Sequence, residues 1–123
     1  MPIILGSTAP TFDMPNATFT GLASPSRGSK ETCVWKTRVH PGGAGAPHSF
    51  DHEEVLVVVR GAAVASLDGV EHQVAVGDAI VVPAGVMFSM ANPHEEPFEA
   101  VVSLPVGAMA FMNGQSFVPD PAK

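Results

Sequence analysis

From Thr32 to His40 the chain alternates, with Cys33, Trp35, Thr37 and Val39 on one side and Val34, Lys36 and Arg38 on the other. Period-two alternation predicts a half-buried strand with Trp35 turned inward. The density of Pro41, Gly42, Gly43, Gly45 and Pro47 that follows cannot sustain a regular element, so this stretch is a loop delivering His48 to the next strand. Val55 to Val59 is a continuous apolar run, β-branched except at Leu56, the pattern of a strand covered on both faces, and Gly61 ends it so that Ala62 to Leu67 can return. Asp68 and Gly69 are a two-residue hairpin signal leading into Val70 to Val76. Gly77 and Asp78 then turn the chain into Ala79 to Val82, and Pro83 and Gly85 turn it into Val86 to Ala91. A polar loop from Asn92 to Pro97 precedes another apolar strand, Phe98 to Leu104, and the apolar segment from Ala108 to Met112 reads as a last one. About eight short strands with no helix-period segment predict an all-β sandwich or barrel of the jelly-roll type.

The two ends read differently. Residues 1–16 mix four helix-breaking positions, Pro2, Gly6, Pro10 and Pro15, with Ile3, Ile4, Leu5 and Phe12, so they are expected to form an arm lying against a neighbouring subunit. Residues 17–112 hold the barrel, and residues 113–123, ending in Pro119, Pro121 and Lys123, are expected to be a loose tail. At 123 residues there is room for one core and no second one.

Composition narrows the partners. A chain 46% hydrophobic and 15% charged is too apolar for disorder, yet its apolar runs are far too short for a spanning helix, so a cytoplasmic globule without membrane contact is expected. A net charge of -6 with no cluster of Lys or Arg would repel a phosphate backbone, which argues against nucleic acid. The single Cys33 cannot form an internal disulfide and reads as a core residue.

Two glycine-punctuated blocks carry the chemistry. The first places Gly42, His48, Phe50, Glu54 and Gly61 in order; the second places Gly77, Pro83, Gly85, Phe88 and Asn92. In these residues and their spacing the chain resembles the cupin family, whose first block supplies two His and a Glu, and whose second supplies a His, to a metal inside a small β-barrel. The resemblance spans roughly residues 30 to 105. It implies a double-stranded β-helix (jelly-roll) barrel that forms a homodimer, with the glycines, Pro83 and Asn92 as turn architecture. His48 and Glu54 stand at ligand positions, whereas Phe50 and Phe88 occupy the other two.

Residues two apart on a strand share a face, so His48 points with Phe50, Glu54 with Leu56 and Val58, and Val86 with Phe88 and Met90. The resemblance makes that face the barrel interior, which Trp35 joins. Transition metals bound by imidazole and carboxylate need about three protein ligands, and phenylalanine has no lone pair to offer. No metal or other cofactor is therefore expected, and His48 with Glu54 becomes a dyad in an apolar cavity, suited to proton transfer on a small, largely apolar organic molecule (isomerase, lyase or cyclase chemistry). The plain alternative is a hydrogen-bonded His–Glu pair that needs no substrate. A divalent transition metal held by His48, Glu54 and a recruited His52 would instead make a dioxygenase-type enzyme. A non-catalytic binding or structural barrel is the third reading, because sequence alone does not separate a filled barrel from one with a ligand cavity.

Overall fold

The computed structural model describes all residues 1–123. Twelve strands form in chain order: β1 (Thr11–Asp13), β2 (Ala17–Ala23), β3 (Thr32–Val39), β4 (Ser49–Phe50), β5 (Glu54–Arg60), β6 (Ala62–Leu67), β7 (Val70–Ala75), β8 (Ala79–Val82), β9 (Phe88–Ala91), β10 (Phe98–Pro105), β11 (Ala110–Met112) and β12 (Gln115–Phe117). One wall is a six-stranded sheet in the order β1-β2-β3-β10-β5-β8. Facing it are two three-stranded sheets, β7-β6-β9 and β12-β11-β4, stitched together by bridges between His48 and Phe88 and between Ala44 and Ala91. Every pairing is antiparallel. This is the jelly-roll barrel expected from the alternation.

Local chemistry sets the register. Asp68 and Gly69 both have positive φ, 48° and 83°, which matches the right-handed twist of β6 and β7 as a two-residue hairpin requires. The Asp68 carboxylate also accepts the Met87 N–H at 2.8 Å, fixing the turn before β9 to the hairpin. Inward residues of the strands merge into one core of 19 buried hydrophobic side chains, in which Phe98, Ala100 and Leu104 are fully enclosed. None of the helices is long and apolar enough to cross a membrane.

Two local expectations change. The Val55 to Val59 run is covered on one face only: Leu56 and Val58 are buried while Val57 and Val59 are 42% and 46% exposed. A hydrophobic run thus marks an unlayered outer sheet face rather than a strand covered on both faces. The strand expected from Val86 starts at Phe88, because the Pro83–Gly85 turn runs on and the Val86 N–H closes it onto the Pro83 carbonyl at 3.2 Å.

The ends of the chain are also more ordered than expected. Within the arm, β1 pairs with β2 of its own barrel, and Asn16 in the connecting turn donates to the Ala44 carbonyl at 3.1 Å. Beyond it Ile3 and Leu5 remain 86% and 61% exposed. The segment expected to be loose after residue 112 pairs as β12 and continues into a single 3-10 turn, Asp120–Ala122, with Pro121 and Ala122 buried. The Arg27 guanidinium donates to the Pro121 carbonyl at 3.0 Å, and the Cys33 thiol lies 3.6 Å from the Ala122 carbonyl, so the segment plugs one end of the barrel.

Candidate functional site

Between the two walls lies a cavity of about 420 Å³, so the barrel is not filled by its own side chains. β3 contributes Trp35, Thr37 and Val39, β5 contributes Glu54 and Leu56, and β9 contributes Phe88 and Met90. The loop from Ala44 delivers His48, and Phe50 follows it on β4. Seven of the nine residues expected at the site, His48, Glu54, Trp35, Phe50, Leu56, Phe88 and Met90, are therefore brought together. Val58 and Val86 are not on the wall. Val58 is buried in the core further along β5, and Val86 sits half-buried in the turn before β9. Strand parity gave the side of the sheet but not the depth.

Glu54 opens β5, opposite Val82 of β8, and its side chain turns inward to 3% exposure. Its Oε1 has no hydrogen-bond partner. Burial without a counter-charge disfavours the carboxylate and pushes the carboxyl up from 4.5 to about 8, so the group is mostly protonated at neutral pH. A buried carboxylic acid in this state is a hydrogen-bond donor, and Glu54 lines the cavity.

His48 is held by its backbone and by one ring nitrogen. The main chain exchanges two hydrogen bonds with Phe88, at 2.9 and 2.7 Å. A carbonyl only accepts, so the 3.0 Å contact between Nδ1 and the Ala46 carbonyl places the ring proton on Nδ1. In the neutral ring this leaves Nε2 with a free lone pair. The edges of Phe50 and Phe88 pack the imidazole in T-shaped contacts at centroid distances of 5.5 and 5.8 Å.

The expected His–Glu dyad does not form. Neither a hydrogen bond nor an ion pair joins the two, since His48 is committed to Ala46 and Glu54 Oε1 is unpartnered. The reading of a self-satisfied pair is overturned by the same observation. Glu54 and His48 line one cavity with no hydrogen bond between them.

The residues do not suit the metal that the family resemblance implies. No cluster of three or more His, Cys, Asp or Glu side chains is assembled, and phenylalanine rings fill the two remaining positions. Recruitment of His52 is corrected: its Nδ1 binds Asp51 at 2.7 Å, with the side chain 49% exposed, and it takes no part in the cavity wall. That hydrogen bond, with the Met109 N–H, holds the Asp51 carboxyl below its usual value. His40, His72 and His94 are exposed and also lie off the wall.

Several wall residues were missed by sequence reasoning: Phe19 on β2, the Met14 to Ala17 turn, and Met112, Phe117, Pro119 and Pro121 near the chain's end. Both terminal segments close the cavity. The one available signal was Asn113-Gly114, an Asn-Gly hairpin dipeptide whose residues both have positive φ, at 52° and 75°.

A family model described as a cupin domain matches residues 35–104. No curated protein matches the chain in sequence. Among solved structures, a polyketide cyclase from Streptomyces resistomycificus superposes with a TM-score of 0.81 at 18% identity, covering 98% of this chain and 89% of its own. A sugar phosphate isomerase of the cupin superfamily from Silicibacter pomeroyi gives 0.74 at 20% identity, covering 93% and 83%. Salicylate 1,2-dioxygenase from Pseudoaminobacter salicylatoxidans gives 0.72 at 20% identity, covering 86% of this chain and 31% of the dioxygenase. At these identities the likeness is one of fold.

Proposed function

The chain belongs to the cupin family, and from that premise we propose that its barrel binds a small, largely apolar organic molecule and moves protons on it, with Glu54 as acid and His48 as base. The observation that carries the reading is the buried Glu54 carboxyl with no protein partner at the wall of an apolar cavity. A protonated carboxyl left unsatisfied is a cost to the fold, and a ligand carbonyl that accepts its proton removes that cost.

With a carbonyl oxygen at Glu54, Nε2 of His48 withdraws a proton from the adjacent carbon while Glu54 transfers its own to the oxygen, giving an enol, a carboxylate and an imidazolium. Return of the histidine's proton to the same or another carbon, with return of the hydroxyl proton to Glu54, restores both groups. The net change is zero protons, which is an isomerisation; if instead the enol carbon attacks a second carbonyl, whose oxygen takes the imidazolium proton while the enol O–H proton returns to Glu54, the outcome is a cyclisation with both groups restored. Both belong to general acid–base catalysis, worth typically about 10²–10⁴-fold. The polyketide cyclase, similar over nearly the whole length of both chains, lends support as a barrel of the same extent named a cyclase.

The test follows the acetyl protons of methyl naphthyl ketone by proton NMR in deuterium oxide. Wild-type protein should accelerate exchange, and His48→Ala and Glu54→Gln should each abolish it. Exchange at the buffer rate across a panel of bound enolisable ketones would remove the catalytic part of the proposal.

The same reading includes self-association. Val57, Val59 and Val81 are exposed on one sheet and Ile3 and Leu5 project from the arm, which supports a homodimer burying apolar surface. Light scattering that returned a monomer mass at micromolar concentration would remove this part.

A further inference from the structure

We infer that the cavity selects a neutral, flat, oxygen-bearing aromatic molecule, seated with a carbonyl oxygen on Glu54, and rejects the carboxylate and ammonium analogues of the same ring. This deepens the proposed function and rests on it for the orientation of the carbonyl.

The first argument is the absence of any Lys or Arg from the wall. Apart from His48, Glu54 and the uncharged indole N–H of Trp35, its only polar side chains are Asn16 and Thr37, and Asn16 donates to the Ala44 carbonyl. The alternation of β3 that turns Trp35, Thr37 and Val39 inward sends Lys36 and Arg38 to the opposite face, where Lys36 pairs with Glu99 at 3.8 Å. Bringing either cation inside would require a one-residue slip that also expels Trp35. A carboxylate or phosphate entering the barrel would lose its hydration and meet no Lys or Arg.

The second argument concerns amines. An ammonium ligand needs Glu54 ionised, and this site is built to keep that group neutral: it is 3% exposed and no N–H or O–H reaches Oε1. A carboxylate meant to pair with a cation is normally supported by donors of its own. The proton on Glu54 instead asks for an acceptor.

The third argument is shape. Phe19, Trp35, Phe50 and Phe88 reach the wall from four different strands, so aromatic surface bounds the space on several sides, with His48 and Glu54 as the polar points. Flat rings stack on or abut such surfaces in offset and edge-to-face geometries, and a cavity of about 420 Å³ lies within the usual range for small-ligand sites. The Thr37 hydroxyl, which has no protein partner, is a second place for a ring oxygen.

The experiment titrates wild-type protein with three probes sharing one ring system: methyl naphthyl ketone, naphthoate and naphthylmethylammonium. Affinities are read by calorimetry at neutral pH, and location by the indole N–H resonance of Trp35, the one tryptophan in the chain. The ketone should bind at least about tenfold more tightly than either ion, a difference of about 1.4 kcal/mol, and should shift the Trp35 resonance. Equal or tighter binding of naphthoate or the ammonium overturns the inference, as does binding of the ketone without a Trp35 shift, or no binding of any probe up to its solubility. The two proposals fail separately: charge selection without acetyl-proton exchange removes only the proton transfer, while exchange without charge selection removes only the ligand class.

Discussion

His48 and Phe88 exchange both of their backbone hydrogen bonds, the N–H of His48 reaching the Phe88 carbonyl at 2.9 Å and the N–H of Phe88 returning to His48 at 2.7 Å. This bridge joins the two glycine-punctuated blocks and sets their side chains at one level of the barrel, with ring centroids 5.8 Å apart. Phe88 therefore occupies a position from which an imidazole would share a metal with His48, and Phe50 does the same from β4, its centroid 5.5 Å away.

That placement predicts the outcome of restoring donors. Phe50→His combined with Phe88→His should take up about one equivalent of a divalent transition metal per chain, because four donors then converge. Wild-type protein treated identically should stay well below stoichiometry. Elemental analysis before and after mild chelation is the check, and adding Glu54→Gln to the double variant should weaken retention. A double variant that folds but stays metal-free would show that the phenylalanines do not stand where ligands belong.

Glu54 makes stability fall with rising pH. Its carboxyl is moved up by burial from 4.5 to about 8, so between those values the folded chain keeps a proton that the unfolded chain has released. Folding then takes up a proton, and stability is complete below pH 4.5, declines across the interval and levels off above about 8. At about 1.4 kcal/mol per pH unit the loss amounts to several kcal/mol. Urea unfolding should give a midpoint that drops over this range in wild type and changes much less in Glu54→Gln, which is the more stable of the two at the alkaline end. Parallel pH profiles for the two proteins would contradict the assignment.

The glycines of the blocks are not equivalent. Gly61 and Gly77 both have positive φ, 71° and 95°, but a Cβ on Gly61 would lie 2.4 Å from the Pro97 carbonyl oxygen, while one on Gly77 meets nothing within 4 Å. Gly77→Ala should cost only the left-handed strain, about 1 kcal/mol. Gly61→Ala adds a backbone clash where β5 turns into β6 beside the start of β10, and should cost about 3 kcal/mol. Thermal melts of the two variants side by side measure the difference, and equal losses would mean that Pro97 moves away freely.

What could be read from the sequence was what short-range periodicity encodes. Alternation in β3 put Trp35 inside and Lys36 outside, and Asp68-Gly69 marked its hairpin, because strand faces and tight turns depend on neighbours along the chain. His48 and Glu54 were recognisable as the polar pair of the interior. Their separation was not, since it depends on Ala46 capturing Nδ1 and on the distance between two strands from opposite walls. Val58 has the right parity at the wrong depth and Val86 lies in a turn before the strand begins; Phe19 closes the cavity through a pairing that no local pattern announces, and Phe117 through a hairpin that only Asn113-Gly114 signals. Val55 to Val59 misled because continuous apolar sequence fits an exposed apolar sheet face as well as a doubly covered strand.

Asn92 supplies the most discriminating test of the second block. It is 1% exposed and wholly satisfied: Nδ2 donates to the carbonyls of Val39 at 3.1 Å and Glu96 at 2.8 Å, and Oδ1 accepts the His94 N–H at 3.0 Å. The amide thereby ties the end of β9 to the end of β3 and shapes the loop before β10. Asn92→Ala removes one acceptor and two donor contacts and leaves main-chain groups unpaired, which should cost about 3 kcal/mol. Asn92→Asp keeps the shape and the His94 contact but turns an acceptor oxygen toward the two carbonyls, and burial then opposes its charge as well. The near-isosteric variant should therefore be the less stable of the two above pH 7 by at least about 1 kcal/mol, the reverse of what size conservation alone would rank. Urea unfolding of both at neutral and at mildly acidic pH decides it: acid should rescue Asn92→Asp by protonating the carboxylate, and a gap that ignores pH would mean that the side chain has left the two carbonyls for solvent.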